Sequence, residues 1–203
     1  SSIELVETDT NSAVYVGGSN KVTKIHLAGD PGDPEDGKLP PLPETSTLVV
    51  NASNLSHFGG SIGATNPLTG LLTDAPGVTV LSGNVTTTGD HQFLDPVQLQ
   101  ADVDLLGTGF SALEAGATGS FHLNAFADSG TRIEGVSNLS SLATNTTISV
   151  NGTINTTGQQ QYGDAIQLLG DTTLGGGSAI LAGAIDGNNA NLTLNFSTET
   201  AIN

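Results

Sequence analysis

The chain of 203 residues contains no cysteine, tryptophan or methionine. Without cysteine it can form neither a disulfide framework nor a thiolate metal site. Aromatic residues make up only 4% of it, so a globule anchored on several large rings is excluded and Val, Ile, Leu and Ala must be buried in thin layers. Cations are equally scarce: 4 Lys plus Arg face 20 Asp plus Glu, for a net charge of −16. A surface of that sign repels phosphate backbones and anionic headgroups, which argues against nucleic acid and direct membrane insertion. No run approaches 18 consecutive apolar residues, and no stretch spaces its apolar residues as a helix would. Ser1 is not followed by a charged segment and an apolar segment, so any secretion signal is expected to have been removed or to lie upstream.

What is present is strand and turn chemistry: Thr, Val, Ile and Asn, punctuated by 27 glycines. The apolar residues recur at regular positions, which separates the chain from a disordered one of similar composition. The recurrence is a repeat. Leu81 to Leu105 aligns without a gap on Val150 to Leu174, with Gly83 on Gly152, Val85 on Ile154, Gly89 on Gly158, Phe93 on Tyr162, Asp95 on Asp164, Val97 on Ile166, Asp102 on Asp171 and Leu105 on Leu174. The offset is 69 residues throughout. A second block recurs at Leu48–Asn51, Phe121–Asn124 and Leu192–Asn195, with slightly different spacings. The expected organisation is a partial repeat over 1–47, with an acidic Pro-rich loop at about 30–46. Repeats follow over 48–120 and 121–191, and a further copy begins at 192–203.

Each repeat holds several short runs such as Val78–Leu81, Val97–Leu99 and Val103–Leu105, separated by Gly, Asn or Asp. They are too short for helices and too closely spaced for βαβ units. The expected fold is all-β: a parallel, right-handed β-helix solenoid of roughly three coils per 69-residue repeat, each coil about 23 residues long. In Val97-Gln98-Leu99 and Ile166-Gln167-Leu168 the aliphatic residues should point inward and the glutamines outward. The alternative is two tandem β-sandwich domains. Pairing of residues about 23 apart marks a solenoid, and pairing of adjacent hairpins marks a sandwich.

The phrases Phe58-Gly59-Gly60-Ser61-Ile62-Gly63, Val85-Thr86-Thr87-Thr88-Gly89-Asp90-His91-Gln92-Phe93 and Asp102-Val103-Asp104-Leu105 resemble a repeat of large bacterial exoproteins. The second copy, Thr156 to Leu168 with Asp171-Thr172-Thr173-Leu174, is similar again. These exoproteins are filamentous-haemagglutinin-like adhesins and related autotransporter passengers. The resemblance covers roughly residues 48 to 203 and implies secretion, a β-helical shaft at the cell surface, and a role in attachment or biofilm.

Candidate sites are few. Asp30, Asp33, Glu35 and Asp36 place four carboxylates in seven residues, a calcium candidate whose spacing is not that of an EF-hand; the alternative is an exposed acidic loop. Apart from this calcium, no cofactor is expected. Asp95, Asp164, Asp102 and Asp171 recur with the repeat, which suits Asx-type turns between coils better than catalysis. Arg132 is the only arginine, with Glu134 nearby and His122 ten residues earlier, too little for a carbohydrate-processing groove. His26, His57, His91 and His122 are scattered. Sequons begin at Asn51, Asn54, Asn84, Asn138, Asn145, Asn151, Asn155, Asn191 and Asn195, and are glycan acceptors if the producing cell supplies the machinery. The expected protein is therefore a non-enzymatic adhesive or structural segment. Its expected partners are a glycan or surface receptor, or other copies of itself in a filament or surface layer.

Overall fold

The computed structural model describes residues 47–203 in full, together with the backbone of the strands Ile3–Val6, Ala13–Gly18 and Ile25–Ala28. Among the described residues there is no helix, and parallel strands stack as a β-solenoid of about eight coils. Pairing runs from coil to coil, not within hairpins. Thr47 pairs with Gly70, Leu71 with His91, His91 with Ser111, Ser111 with Thr131, Thr131 with Ile148, and Ile148 with Ile166. The steps are therefore 23, 20, 20, 20, 17 and 18 residues. This is the expected solenoid and not the sandwich, although most coils are shorter than 23 residues.

Each coil has three faces. The first is built from Thr47–Ala52, Gly70–Thr73, His91–Phe93 and Ser111–Leu113, then from the leading parts of Thr131–Leu139, Ile148–Thr156 and Ile166–Gly176. The second takes Leu55–Phe58, Val78–Leu81, Val97–Leu99 and Ala117–Thr118, the trailing parts of the same three long strands, and Leu192–Phe196. The third runs through Val85–Thr87, Val103–Gly107, His122–Ala127, Ser141–Thr144, Gln159–Tyr162, Ser178–Leu181 and Thr200–Ile202.

This assignment gives the 69-residue repeat an unexpected phase. Val85 lies on the third face but its counterpart Ile154 lies on the second. Val97 lies on the second face and Ile166 on the first; Phe93 lies on the first and Tyr162 on the third. The repeat thus spans three full coils and two further faces. Every face asks the same of its sequence, an inward–outward–inward aliphatic run followed by a turn, so similar segments fit faces that are not equivalent.

Inward residues stack in columns, each buried on its neighbours above and below. On the second face Val97, Ala117, Val136, Ile154 and Leu174 form one column, and on the third Val85, Leu105, Ala125, Thr144, Tyr162 and Leu181 form another. Val97 and Leu99 are 1% and 2% exposed, while Gln98 between them faces solvent, as does Gln167. Each such aliphatic side chain, fully buried, contributes about 1.5–3 kcal/mol relative to exposure.

The corners differ along the shaft. Between the first and second faces, the early coils turn through short loops such as Leu94-Asp95-Pro96. From Thr131 onward the two faces merge into strands of 9, 9 and 11 residues. The bend is absorbed at register shifts beside Gly135 (φ +82°) and Gly152 (φ +75°), a left-handed conformation in which a Cβ would be strained. The corner from third to first face also tightens, because His122–Ala127 is followed by the shorter Ser141–Thr144. The backbone N–H of Ala127, left without a strand partner, donates to Asn145 Oδ1 (3.1 Å), and Thr146 Oγ1 donates to the Ala127 carbonyl (2.7 Å).

Candidate functional site

The acidic residues singled out by the repeat take three different roles. Asp95 is buried (1% exposed) in the corner between the first and second faces. Its Oδ1 accepts from Thr73 Oγ1 (2.7 Å) and Thr79 Oγ1 (2.9 Å), and Oδ2 accepts from Thr79 as well (3.0 Å). Burial raises its pKa against the opposing effect of those hydroxyls. Asp164, its counterpart, is exposed and meets only Thr147 Oγ1 at 3.4 Å. Asp102 and Asp171 behave alike: each accepts a backbone N–H from twenty residues ahead, Asp102 from His122 (2.9 Å) and Asp171 from Asn191 (2.8 Å). The bonds from Asn191 hold the Asp171 carboxyl below its usual range. The expected local Asx turns are therefore replaced by staples between successive coils. Asp90 to Phe110 N (2.8 Å) is a third staple of this kind, and a local turn is seen instead at Asp186, which accepts from Asn188 N (3.2 Å).

His91 heads a buried polar run inside the first face, where Leu48 and Leu71 are followed by His91, Ser111 and Thr131 before Ile148 and Ile166 resume the aliphatic column. Thr87 already donates to the Gly89 carbonyl (2.7 Å), so it accepts from His91 Nδ1–H (3.1 Å), and Nε2 accepts from Ser111 (2.8 Å). That fixes one neutral tautomer. Burial lowers the pKa to about 4, against a smaller opposing pull from Asp90. Farther up the shaft the interior polar groups are neutral: Tyr162 donates to Gln160 Oε1 (2.8 Å), and Gln160 Nε2 donates to the carbonyls of Gly175 (2.7 Å) and Ile154 (3.0 Å). Burial pushes the Tyr162 hydroxyl well above the ordinary phenol range.

The remaining candidates stay apart. Arg132, outward on the first face, pairs with Glu134 and lies 3.3 Å from Glu114; chiefly the Glu134 bond, with both carboxylate charges, holds its pKa up. His122 is on the third face, with Nδ1 2.5 Å from Ser141 Oγ, and does not join Arg132. His57, on the second face, contacts Ser82 Oγ (3.1 Å). His26 belongs to the strand Ile25–Ala28, and its side chain lies outside the described residues. So do the calcium candidates Asp30, Asp33, Glu35 and Asp36. Among the described residues, no group of three or more His, Asp or Glu side chains gathers in the way a metal site requires.

One constellation was not singled out from sequence. On the outward side of the third face, Asn84, Asp104 and Asn124 stack directly over one another. Asn84 Nδ2 donates to Asp104 Oδ2 (3.0 Å), Asp104 N donates to Asn84 Oδ1 (3.0 Å), and Asn124 Nδ2 donates to Asp104 Oδ1 (2.7 Å). Phe126, two residues along the same strand, is 37% exposed and stands over Leu106. The signal was the twenty-residue spacing, which a 23-residue coil hides.

The sequons divide by what their amides do. Asn84 and Asn191 use their side-chain N–H groups in inter-coil bonds, and Asn145 uses its carbonyl. Asn51, Asn54, Asn138, Asn155 and Asn195 are exposed. No protein family, curated protein or solved structure matches the chain.

Proposed function

We propose that the chain is a shaft segment of a secreted bacterial surface protein, a structural and adhesive β-solenoid acting in attachment or biofilm and carrying no catalytic activity. The observation that supports this most is the unbroken stack of about eight coils, whose outward side is laced by inter-coil hydrogen bonds. Such a rod spaces whatever it carries at a fixed distance and orientation, about 4.8 Å per coil. The exoprotein-like phrases of the repeat point the same way. Beads coated with the protein are expected to adhere saturably to glycan-coated or cell surfaces, and to leave a panel of polysaccharides uncleaved. Adhesion no stronger than that of beads bearing an unrelated acidic protein, or release of reducing ends, overturns the reading.

A second reading, a self-assembling subunit of a filament or surface layer, draws on the parallel coil-to-coil pairing, which can join separate copies of a solenoid as it joins the coils of one. Electron microscopy separates the two: short single rods support the shaft, and regular end-to-end filaments support assembly.

A further inference from the structure

We propose that the outward side of the third face, centred on Asp104 and Phe126, is a binding surface for an uncharged polysaccharide. The proposal deepens the adhesive reading and rests on it. Side chains at alternate positions of a strand share a side, so His122, Asn124 and Phe126 all point outward from His122–Ala127, with Asp104 and Leu106 on the strand below and Asn84 and Thr86 below those. Three features meet there.

The first is a ring. Phe126 is the exposed aromatic side chain among the described residues, and with half-buried Leu106 beneath it forms a small apolar platform on which the C–H face of a pyranose can lie. The second is a row of polar groups with fixed rotamers. The bonds Asn84–Asp104–Asn124 occupy two of the roughly four lone-pair directions of the Asp104 carboxylate and leave the others for hydroxyl donors. Because the row is already ordered by its own bonds, a ligand has little side-chain freedom to freeze. The third is charge. The patch carries Asp104, with Asp102 at its border, while Arg132, the chain's one arginine, is on another face and engaged by Glu114 and Glu134. An acceptor-rich, anionic surface suits a ligand made of hydroxyl donors and repels uronates, sulfates and sialylated glycans. The row spans three coils about 4.8 Å apart, so the patch extends roughly 10 Å along the shaft and fits a short stretch of a sugar chain better than a single sugar.

The test is titration calorimetry of the full chain with cellohexaose, mannohexaose and xylohexaose, and with hexagalacturonate as the charged control. At least one neutral hexaose is expected to bind with Kd on the order of 0.1–1 mM. Phe126→Ala and Asp104→Asn should each weaken it at least tenfold, Phe126→Tyr should restore it, and hexagalacturonate should bind at least tenfold more weakly. Far-UV circular dichroism identical to wild type confirms that these outward substitutions leave the coils folded. If a neutral hexaose binds but Phe126→Ala and Asp104→Asn bind it equally well, this surface is the wrong one and the adhesive reading stands. If no neutral hexaose binds while coated beads still adhere, the ligand class is wrong. If beads do not adhere at all, both readings fall.

Discussion

The coils from Thr47 to Gly130 and those from Thr131 onward close the same three-faced cross-section with different chemistry. In the early coils, ionisable side chains enter the interior: Asp95 ties Thr73 to Thr79 at one corner, and His91 bridges Thr87 and Ser111 at another. In the later coils, that first-to-second corner is carried by continuous backbone, bent at Gly135 and Gly152, and the interior polar groups are threonine hydroxyls, the amide of Gln160 and the phenol of Tyr162. A packed parallel sheet tolerates either solution when most of its buried polar atoms find partners; in the later coils the hydroxyls of Thr131 and Thr144 have none. What differs is the response to solution conditions. The early coils bury groups that titrate or carry charge in the acid range, and the later coils bury groups that do not.

The comparison breaks most sharply at the pair Asp95 and Asp164, which the repeat equates. Asp95→Ala leaves the hydroxyls of Thr73 and Thr79 buried without their acceptor, and is expected to cost about 3–4 kcal/mol. Asp164→Ala, at an exposed position, should stay within about 0.5 kcal/mol. Urea denaturation of the two variants measures both, and equal losses would abolish the distinction between the regions.

Acid should act on the same region. The folded-state pKa of His91 is lowered to about 4 from 6.5, so the unfolded chain takes up the proton first. Its stabilising contribution is complete above the unfolded value, is lost as pH falls from 6.5 toward 4, and changes no further below that. Each tenfold difference in proton affinity between the folded and unfolded chain is worth about 1.4 kcal/mol, so the full loss is roughly 3–3.5 kcal/mol. Asp95 opposes it: with a raised folded-state pKa the native carboxyl binds its proton first, so its burial becomes less costly on acidification toward the ordinary aspartate range. Amide exchange followed from about pH 7 to about pH 4 should show protection falling first around His91 and Ser111, ahead of Gln160 and Tyr162. His91→Leu should flatten that limb, and an unchanged acid limb would remove His91 as its cause.

The smallest effect sharpens the comparison by finding no difference. Asp102 and Asp171 staple the coil twenty residues ahead in the early and late regions respectively. Asp102→Ala loses one exposed hydrogen bond and Asp171→Ala two, each worth little in contact with water, so both should lower the urea midpoint slightly, far less than Asp95→Ala, and by amounts that agree within error. A much larger drop at Asp102 would mean that its neighbours depend on it in a way the staple does not explain.

The sequence carried the strand runs, the inward aliphatic and outward glutamine pattern at Val97–Leu99 and Ile166–Leu168, and the parallel stacking. It did not carry the phase. Val97 and Ile166 look equivalent because each begins an inward–outward–inward run, yet they occupy different faces, and nothing within either run records which. The roles of Asp95 and Asp164 were hidden for a related reason: their local sequences are alike, but the burial of Asp95 depends on Thr73 and Thr79, which reach it from the neighbouring coil. The row Asn84, Asp104 and Asn124, and the bridge from His91 to Ser111, become readable only once the twenty-residue step is known.

That step gives the 69-residue repeat a geometric property of its own. Three coils plus two faces advance a feature roughly 18 Å along the axis and turn it two-thirds of the way around. In any longer array holding the same offset, successive copies of an outward group would trace a shallow spiral and regain their starting bearing every third copy. Contacts presented in this way point in all three directions, so neighbours on any side could engage several of them at once, with the gain in avidity that multivalency brings.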